Sequence, residues 1–499
     1  MIPYGTIDSP ACARHRAASG HRIQNSRLRR GEKGRRPIQR NVQSDFTQGG
    51  IPGTIMRLAV PMTVAQFANI LYNLVDRMYI GRIPGTGRLA LTGLGVCLPV
   101  ISILIGFANL CGMGGTPLCS IHRGRGEDEE AGYILGNSFT LLLLFGAVLT
   151  VLCLLARRPL LYLFGASDET FPFANDYLTI YLFGTLFVMI GLGLNPFINA
   201  QGFGRVGMMT VALGAVVNIV LDPIFIFGLD MGVKGAALAT VIAQGCSAAW
   251  VLRFLTGEKA ILRLRLSRMR LRARRVARIL TLGLSGFVMA MTNSLVQALC
   301  NVMLYRHGGD LYVGVMTVIN SAREIIIMPI NGLSNGTQPV LGYNYGAGAY
   351  SRVREGIRFS TVVTLGYALA IWAVTMSLPG LFIQIFNDDP LLLAAGVPAF
   401  RAYFAAFFCM AFQLTGQTTF VALGRSKHAI FFSMLRKAFI VAPLVVLLPA
   451  YFGTAGVFVA EPISHVIGGV ACWLTMYFVV YRPLGQRPDR DRSQNEPLP

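Results

Sequence analysis

Asp222 is a carboxylate in a run that is otherwise uncharged from Val206 to Leu229. An ionisable group inside a bilayer costs about 2.5 to 3.5 kcal/mol on insertion scales, and acids retained there mark ion pathways or proton relays. Asn218 lies one helical turn earlier in Asn218-Ile219-Val220-Leu221-Asp222-Pro223, so an amide and a carboxylate share a helix face. Pro223 has no N–H and clashes with the carbonyl of Ile219, which predicts a bend and a freed carbonyl oxygen beside the acid. Three kinds of oxygen would then cradle a proton or a small hard cation. The alternative is a kinked helix whose acid caps the break or pairs with a basic neighbour.

Other polar residues stand in apolar surroundings. Asp76, in Tyr72-Asn73-Leu74-Val75-Asp76-Arg77, has Tyr72 one turn earlier on the same face; it either joins an intramembrane site or lies at the interface, with Arg77 paired to an acid elsewhere. Thr240 is an isolated hydroxyl among alanines and valine, where threonine commonly bonds back to its own helix. Pro61 sits well inside the first apolar segment and should bend it. In the second half of the chain, Glu324 follows Arg323 and either pairs with it or faces a cavity, while Glu461 has His465 one turn later. That pair could relay protons or make a structural hydrogen bond between helices. Arg323 and Arg401 are the basic residues read as lying deep in apolar segments. Gly124-Arg125-Gly126 reads as a loop turn and not a phosphate cradle, because no strand precedes it and no Lys-Ser/Thr follows.

The elements that must carry these residues are transmembrane helices. The chain has 499 residues, 54% hydrophobic and only 13% charged, which is the composition of a polytopic membrane protein. Apolar segments near 54–80, 91–120, 131–156, 173–202, 206–229, 233–255, 277–305, 311–344, 356–379, 394–423, 428–451 and 454–481 are each long enough to cross a bilayer, giving twelve spans. The net charge of +21 is concentrated outside them: residues 1–53 carry ten Lys/Arg against three acids, and 253–278 carry ten against one. Such placement is a topology signal and argues against a nucleic-acid partner. Counting Lys/Arg in the connections gives eighteen on the side of the basic linker and six on the other, which predicts cytoplasmic termini and linker. The nine cysteines show no metal-type or redox-type spacing and read as small buried hydrophobes.

The chain repeats itself at an offset of about 221 residues. Gly114-Gly115-Thr116-Pro117 recurs as Asn335-Gly336-Thr337-Gln338-Pro339, Gly124-Arg125-Gly126 as Gly346-Ala347-Gly348, and Gly232-Val233-Lys234-Gly235 as Gly453-Thr454-Ala455-Gly456. The expected organisation is an Arg-rich disordered arm over 1–53, six spans over 54–256, a basic linker over 257–275, six further spans over 276–481 and a tail over 482–499. An even number of spans per half gives the halves the same orientation, as in transporters with parallel repeats around a central cavity.

Three segments, Val75-Asp76-Arg77-Met78-Tyr79-Ile80-Gly81, Asn218 to Phe225, and Gln338-Pro339-Val340-Leu341-Gly342-Tyr343-Asn344-Tyr345-Gly346-Ala347, resemble the multidrug and toxic compound extrusion (MATE) family. The Asn-x-x-x-Asp-Pro motif is similar to that of its prokaryotic DinF-like branch. The resemblance implies an all-α membrane protein, with two six-helix lobes around a V-shaped cavity, that exports drugs in exchange for inward H⁺ or Na⁺. Carried over, the coupling site would be Asp76, Asn218, Asp222 and Thr240 with Tyr72 beside them, Na⁺ being the only metal implied; Pro61 matches the first-helix proline at which bending is proposed to follow protonation. The seventh and tenth segments lack the acids expected in another branch, so coupling would rest on the first lobe. The expectation is therefore a monomeric antiporter of the inner (plasma) membrane, meeting small drug-like molecules and lipids, with amphipathic, cationic substrates and no cofactor. A flippase for lipid-linked oligosaccharides is the alternative; it calls for a basic cavity. An enzyme would need a catalytic cluster or a long interfacial loop, and the basic linker offers no His, Cys or Asp.

Overall fold

The computed structural model describes residues 45–386 and 389–490, and among these no strand occurs. Nine helices cross a membrane's thickness singly: span 1 (Ile51–Gly81), span 2 (Gly87–Gly124), span 3 (Asp128–Leu155), span 5 (Gly204–Gly228), span 6 (Gly232–Thr256), span 9 (Tyr350–Ser377), span 10 (Pro390–Ala422), span 11 (Ser426–Phe452) and span 12 (Thr454–Gly485). Span 4 is a pair of helices, Phe171–Phe183 and Thr185–Ala200, bent by 58°. The sequence suggested an uninterrupted segment there; the break falls at Gly184, a poor helix former pressed against Val241. Ala273–Gly346 forms a helical stretch of 74 residues, interrupted at Gly309 (φ 68°, ψ −165°). A straight helix of that length would be about 110 Å long, more than three bilayer cores. Gly309, in a conformation open to glycine, turns the chain back and makes it spans 7 and 8, so the bundle has twelve spans.

The outer surface fits lipid and not water. On span 3, Leu144, Val148, Val151, Leu152 and Leu155 form one helix face, 45–79% exposed, while Leu141, Leu142 and Gly146 face inward and are buried. A stripe of this kind would be an aggregation surface in water, but in hydrocarbon it is what the solvent requires. Beneath it the largest cores are one drawn from residues between Ile80 and Ile279 and one from residues between Val296 and Ala460, and a smaller one joins Ile51, Ile55 and Leu58 of span 1 to Leu333, Val340 and Tyr343 of span 8.

The two lobes meet along a seam of glycines. A methyl group added to Gly114 would overlap the Ile279 carbonyl and one on Gly283 the Leu110 carbonyl, where spans 2 and 7 cross. Gly124 and Gly346 stand in the same relation to Tyr343 and Ile121 where spans 2 and 8 cross, and Gly336 of span 8 packs on Ala59 of span 1. These contacts lie towards the ends of the spans that carry the linker. Towards the other end, Leu71 and Leu74 of span 1 and Leu295 and Val302 of span 7 are exposed. The lobes are thus closed against each other on the linker side.

On the closed side, the linker is strapped to the first lobe. Asn137, fully buried on span 3, donates to the carbonyls of Arg268 and Arg270 and accepts from the Arg272 N–H at 3.1 Å, and Thr140 donates to Met269 O at 2.8 Å. Asn137→Ala should therefore strand buried backbone groups and lower stability by about 1–3 kcal/mol. Thermal unfolding of purified protein in detergent checks this, with Thr140→Ala, which removes one linker contact, expected to lose less. The expected arm of residues 1–53 falls largely outside the described residues; from Asp45 the chain is packed, Phe46 accepting hydrogen bonds from Asn344 and Arg352 before span 1 begins at Ile51. At the other end Arg490 N donates to Gly348 O at 3.2 Å, and residues 491–499 also lie outside the described set.

Candidate ion and substrate site

Three spans bring the first-lobe polar residues together. Span 1 presents Tyr72 and Asp76 one turn apart, span 5 presents Asn218 and Asp222, and span 6 presents Thr240. Asn218 is the bridge: its Nδ2 donates to Asp222 Oδ1 at 3.2 Å and to Thr240 Oγ1 at 3.3 Å. Thr240 also bonds back to Ala236 O at 3.0 Å, as isolated helical threonines do. Asp76 and Asp222 lie near enough to feel each other's charge, with Tyr72 and Tyr177 beside Thr240, though among the described residues no hydrogen bond joins these side chains. Tyr177 stacks on Tyr181 at 6.1 Å and closes the back of the site from span 4. Asp76, Asn218, Asp222 and Thr240 are all buried.

One oxygen each of Asp76, Asn218 and Asp222 is buried with no hydrogen-bond partner. Two neighbouring carboxylates out of water need a proton or a cation between them, and three free oxygens are the donor set a hard cation takes. Arg77, next in sequence to Asp76, is exposed and makes no ion pair among the described residues. The helix does not break at Pro223; it widens there into a π-helical turn, Ile224–Gly228, that packs on Gly235 of span 6. This turn absorbs the missing N–H bond and keeps Asp222 beside Thr240. Span 1 likewise runs as one helix through the buried Pro61, so the expected bend does not interrupt it.

Beside the carboxylates, and closer to the linker end, lies a cavity of about 440 Å³ lined by spans 1, 2, 4, 5, 6 and 8. Its walls bear side-chain amides at helical spacing: Gln66 and Asn69 on span 1, Asn195 and Asn199 on span 4, Asn331, Asn335 and Gln338 on span 8, with Asn109 and Gln244 between them. No Asp, Glu, Lys, Arg or His lines it. The carboxylates are therefore not in the cavity wall; of the five first-lobe residues only Tyr72 belongs to both places. The amides were not singled out from the sequence, although Asn195/Asn199 and Asn331/Asn335, one turn apart in uncharged runs, were the available signal.

In the second lobe Glu461 and His465 are buried, with His465 Nε2 3.7 Å from the carboxylate, but Lys437 at 2.7 Å and Arg436 at 3.2 Å are nearer. Of the two basic residues read as deep, Arg323 does face an internal cavity, but Arg401 is exposed and donates to Met376 O at 3.3 Å, and Arg436 and Lys437, buried inside span 11, are the further deep cations. Glu324 is also exposed and makes no ion pair among the described residues.

Twelve apolar spans in two lobes, with buried charge inside and a polar cavity among them, define a membrane transporter. The MatE family model matches residues 61–224 and 286–447, one stretch in each lobe, and the chain belongs to this MATE family of transporters; it is not an enzyme. It is 24% identical over 441 residues to the multidrug export protein MepA of Staphylococcus haemolyticus, covering 87% of this chain and 94% of the relative. To MepA of Staphylococcus aureus strain N315 it is 22% identical, covering 87% and 95%. Among solved structures, a MATE protein in the bent conformation superposes with a TM-score of 0.84 at 22% identity, covering 89% of this chain and 98% of the other. A multidrug resistance MATE family transporter in the outward-facing conformation superposes at 0.82, also at 22% identity, with the same coverage.

Proposed function

We propose that the protein is an inner-membrane antiporter that exports amphipathic drug-like compounds, organic cations among them, in exchange for inward H⁺ or Na⁺ bound at Asp76, Asn218 and Asp222. The observation that carries this is the set of three partnerless oxygens buried behind Tyr72, whose ring also lines the cavity. The exporter names of the MepA relatives support the direction and the substrate range. With the basic linker in the cytoplasm, as its charge favours, the closed side faces inward and this is an outward-open state. An ion arriving from outside would settle between the two carboxylates and remove their repulsion. The first lobe would then repack around Tyr72 and Thr240, and substrate would leave the cavity. Each positive charge moving inward gains about 2.3 kcal/mol per 100 mV, a driving force for export.

The amide walls suit this task, because amides both donate and accept and can turn their carbonyl dipoles towards a cation without fixing one substrate. A cavity without a basic residue is poorly matched to the pyrophosphate of a lipid-linked sugar, which disfavours the flippase reading. The test is ethidium or fluoroquinolone movement in proteoliposomes under separately imposed pH and Na⁺ gradients. Transport driven by one gradient supports the reading and identifies the ion; absence of drug movement under both would remove it.

A further inference from the structure

The second lobe holds a charge cluster that transport through Asp76 and Asp222 leaves unused. Lys437 Nζ, Arg436 Nη1 and His465 Nε2 converge on a single oxygen of Glu461. Arg323 approaches from span 8 across a small cavity of about 20 Å³, which Lys437, Glu461, Tyr403, Gln297 and Asn293 also line. That space has room for a single small ion or water.

The charges do not balance. Arg323, Arg436 and Lys437 face one carboxylate, since Glu324, the other acid near Arg323, is exposed and unpaired among the described residues. Arg323 makes no hydrogen bond or ion pair among the described residues, and its Nε is buried without an acceptor. Arg436 Nε is buried and unpartnered as well. A guanidinium carries five donors and keeps its proton, so this surplus cannot be shed by the arginines. Surplus charge at membrane depth is costly unless something negative accompanies it.

The internal repeat places the cluster. At the offset of 221 residues Glu461 occupies the position of Thr240, and His465 that of Gln244. The cavity thus stands in the second lobe where the carboxylates stand in the first, with the sign reversed. Spans 11 and 12 widen into π-helical turns at Leu435–Val441 and His465–Gly469, as span 5 does after Asp222. Turns of this type re-aim side chains within a helix and recur at functional sites.

We infer that the cavity bounded by Arg323, Lys437 and Tyr403 binds a single monoatomic anion of the size of chloride. Its small volume favours one monoatomic ion over a polyatomic oxyanion; Tyr403 and Gln297 line it beside Arg323 and Lys437, and the Glu461 carboxylate that also lines it is already held by Lys437 and Arg436. The bound anion joins spans 8 and 11 and balances the lobe's interior charge. The inference stands on the second lobe alone and does not need the antiport reading.

The test uses the full-length protein, with thermal unfolding followed as sodium chloride or bromide replaces sodium gluconate at constant ionic strength. A saturable rise in the midpoint is expected for halide, with apparent affinity weakened about tenfold or more in Arg323→Gln, the loss of one charged hydrogen bond. Crystals of the unaltered protein grown in bromide supply a measurement that requires no variant: an anomalous peak between Arg323 and Lys437. A midpoint indifferent to halide, or bromide found only elsewhere, would overturn the site.

Discussion

Asp222→Asn should abolish ion-coupled drug movement while leaving the protein folded and in the membrane. The side chains are nearly isosteric, and the Asn218 amide that now donates to Asp222 Oδ1 at 3.2 Å can donate to the new carbonyl oxygen. What is lost is one of the two charges that make the site attractive to a cation. Removing one partner of a buried charged interaction costs about 3 kcal/mol or more, on the order of a hundredfold in ion affinity. Asp76→Asn should be equally inactive, and the double variant little worse than either, because neighbouring carboxyls that share one ion act as a unit and their effects do not add. Tyr72→Phe keeps both charges and removes only a hydroxyl at the edge of the cavity, so a several-fold change in apparent KM is expected in place of inactivity. Gradient-driven efflux by proteoliposomes, normalised to reconstituted protein, measures all four. If Asp222→Asn retained half of wild-type transport, the first-lobe carboxylates would not be the coupling site.

The clustering of these residues was legible in the sequence because its signal is local. An acid in an apolar run is conspicuous, and Asn218 and Asp222, or Tyr72 and Asp76, meet through one turn of their own helices. The spans followed from apolar length and the two-lobe repeat from recurring glycine motifs. What escaped depends on which spans become neighbours. Arg436 and Lys437 were not singled out from the sequence, and only the packing of span 12 shows Lys437 closer to Glu461 than His465 is. The amide cavity draws on six spans, so no single stretch announces it. The break at Gly184 depends on Val241, a residue 57 positions away. Pro223 shows a different limit: the proline was legible, but its effect was decided by the π-helical turn that follows and by the close approach of Gly235.

Gly346→Val should drive the protein away from the state closed on the linker side. Gly124 and Gly346 belong to turns related by the internal repeat, and each presses its Cα against the main chain of the other's span, at Tyr343 and Ile121. A carbonyl oxygen cannot step aside as a flexible side chain can, so a larger residue at either position must part spans 2 and 8. Overpacking of this kind costs about 1–3 kcal/mol. A shift of about 2 kcal/mol between two conformations changes their ratio roughly thirtyfold, enough to exchange major and minor states. The expected result is a longer distance between spin labels in the 124–128 and 347–350 turns, with transport reduced in proportion to the lost closed state. Gly124→Val should behave alike, and the double variant should add little, because lobes already parted no longer clash at the second glycine. Gly366→Val on span 9 is the control, since nothing lies within 4 Å of its added Cβ and neither distance nor transport should change. An unchanged label distance in Gly346→Val would mean that the seam tolerates the side chain by local distortion and does not set the balance between states.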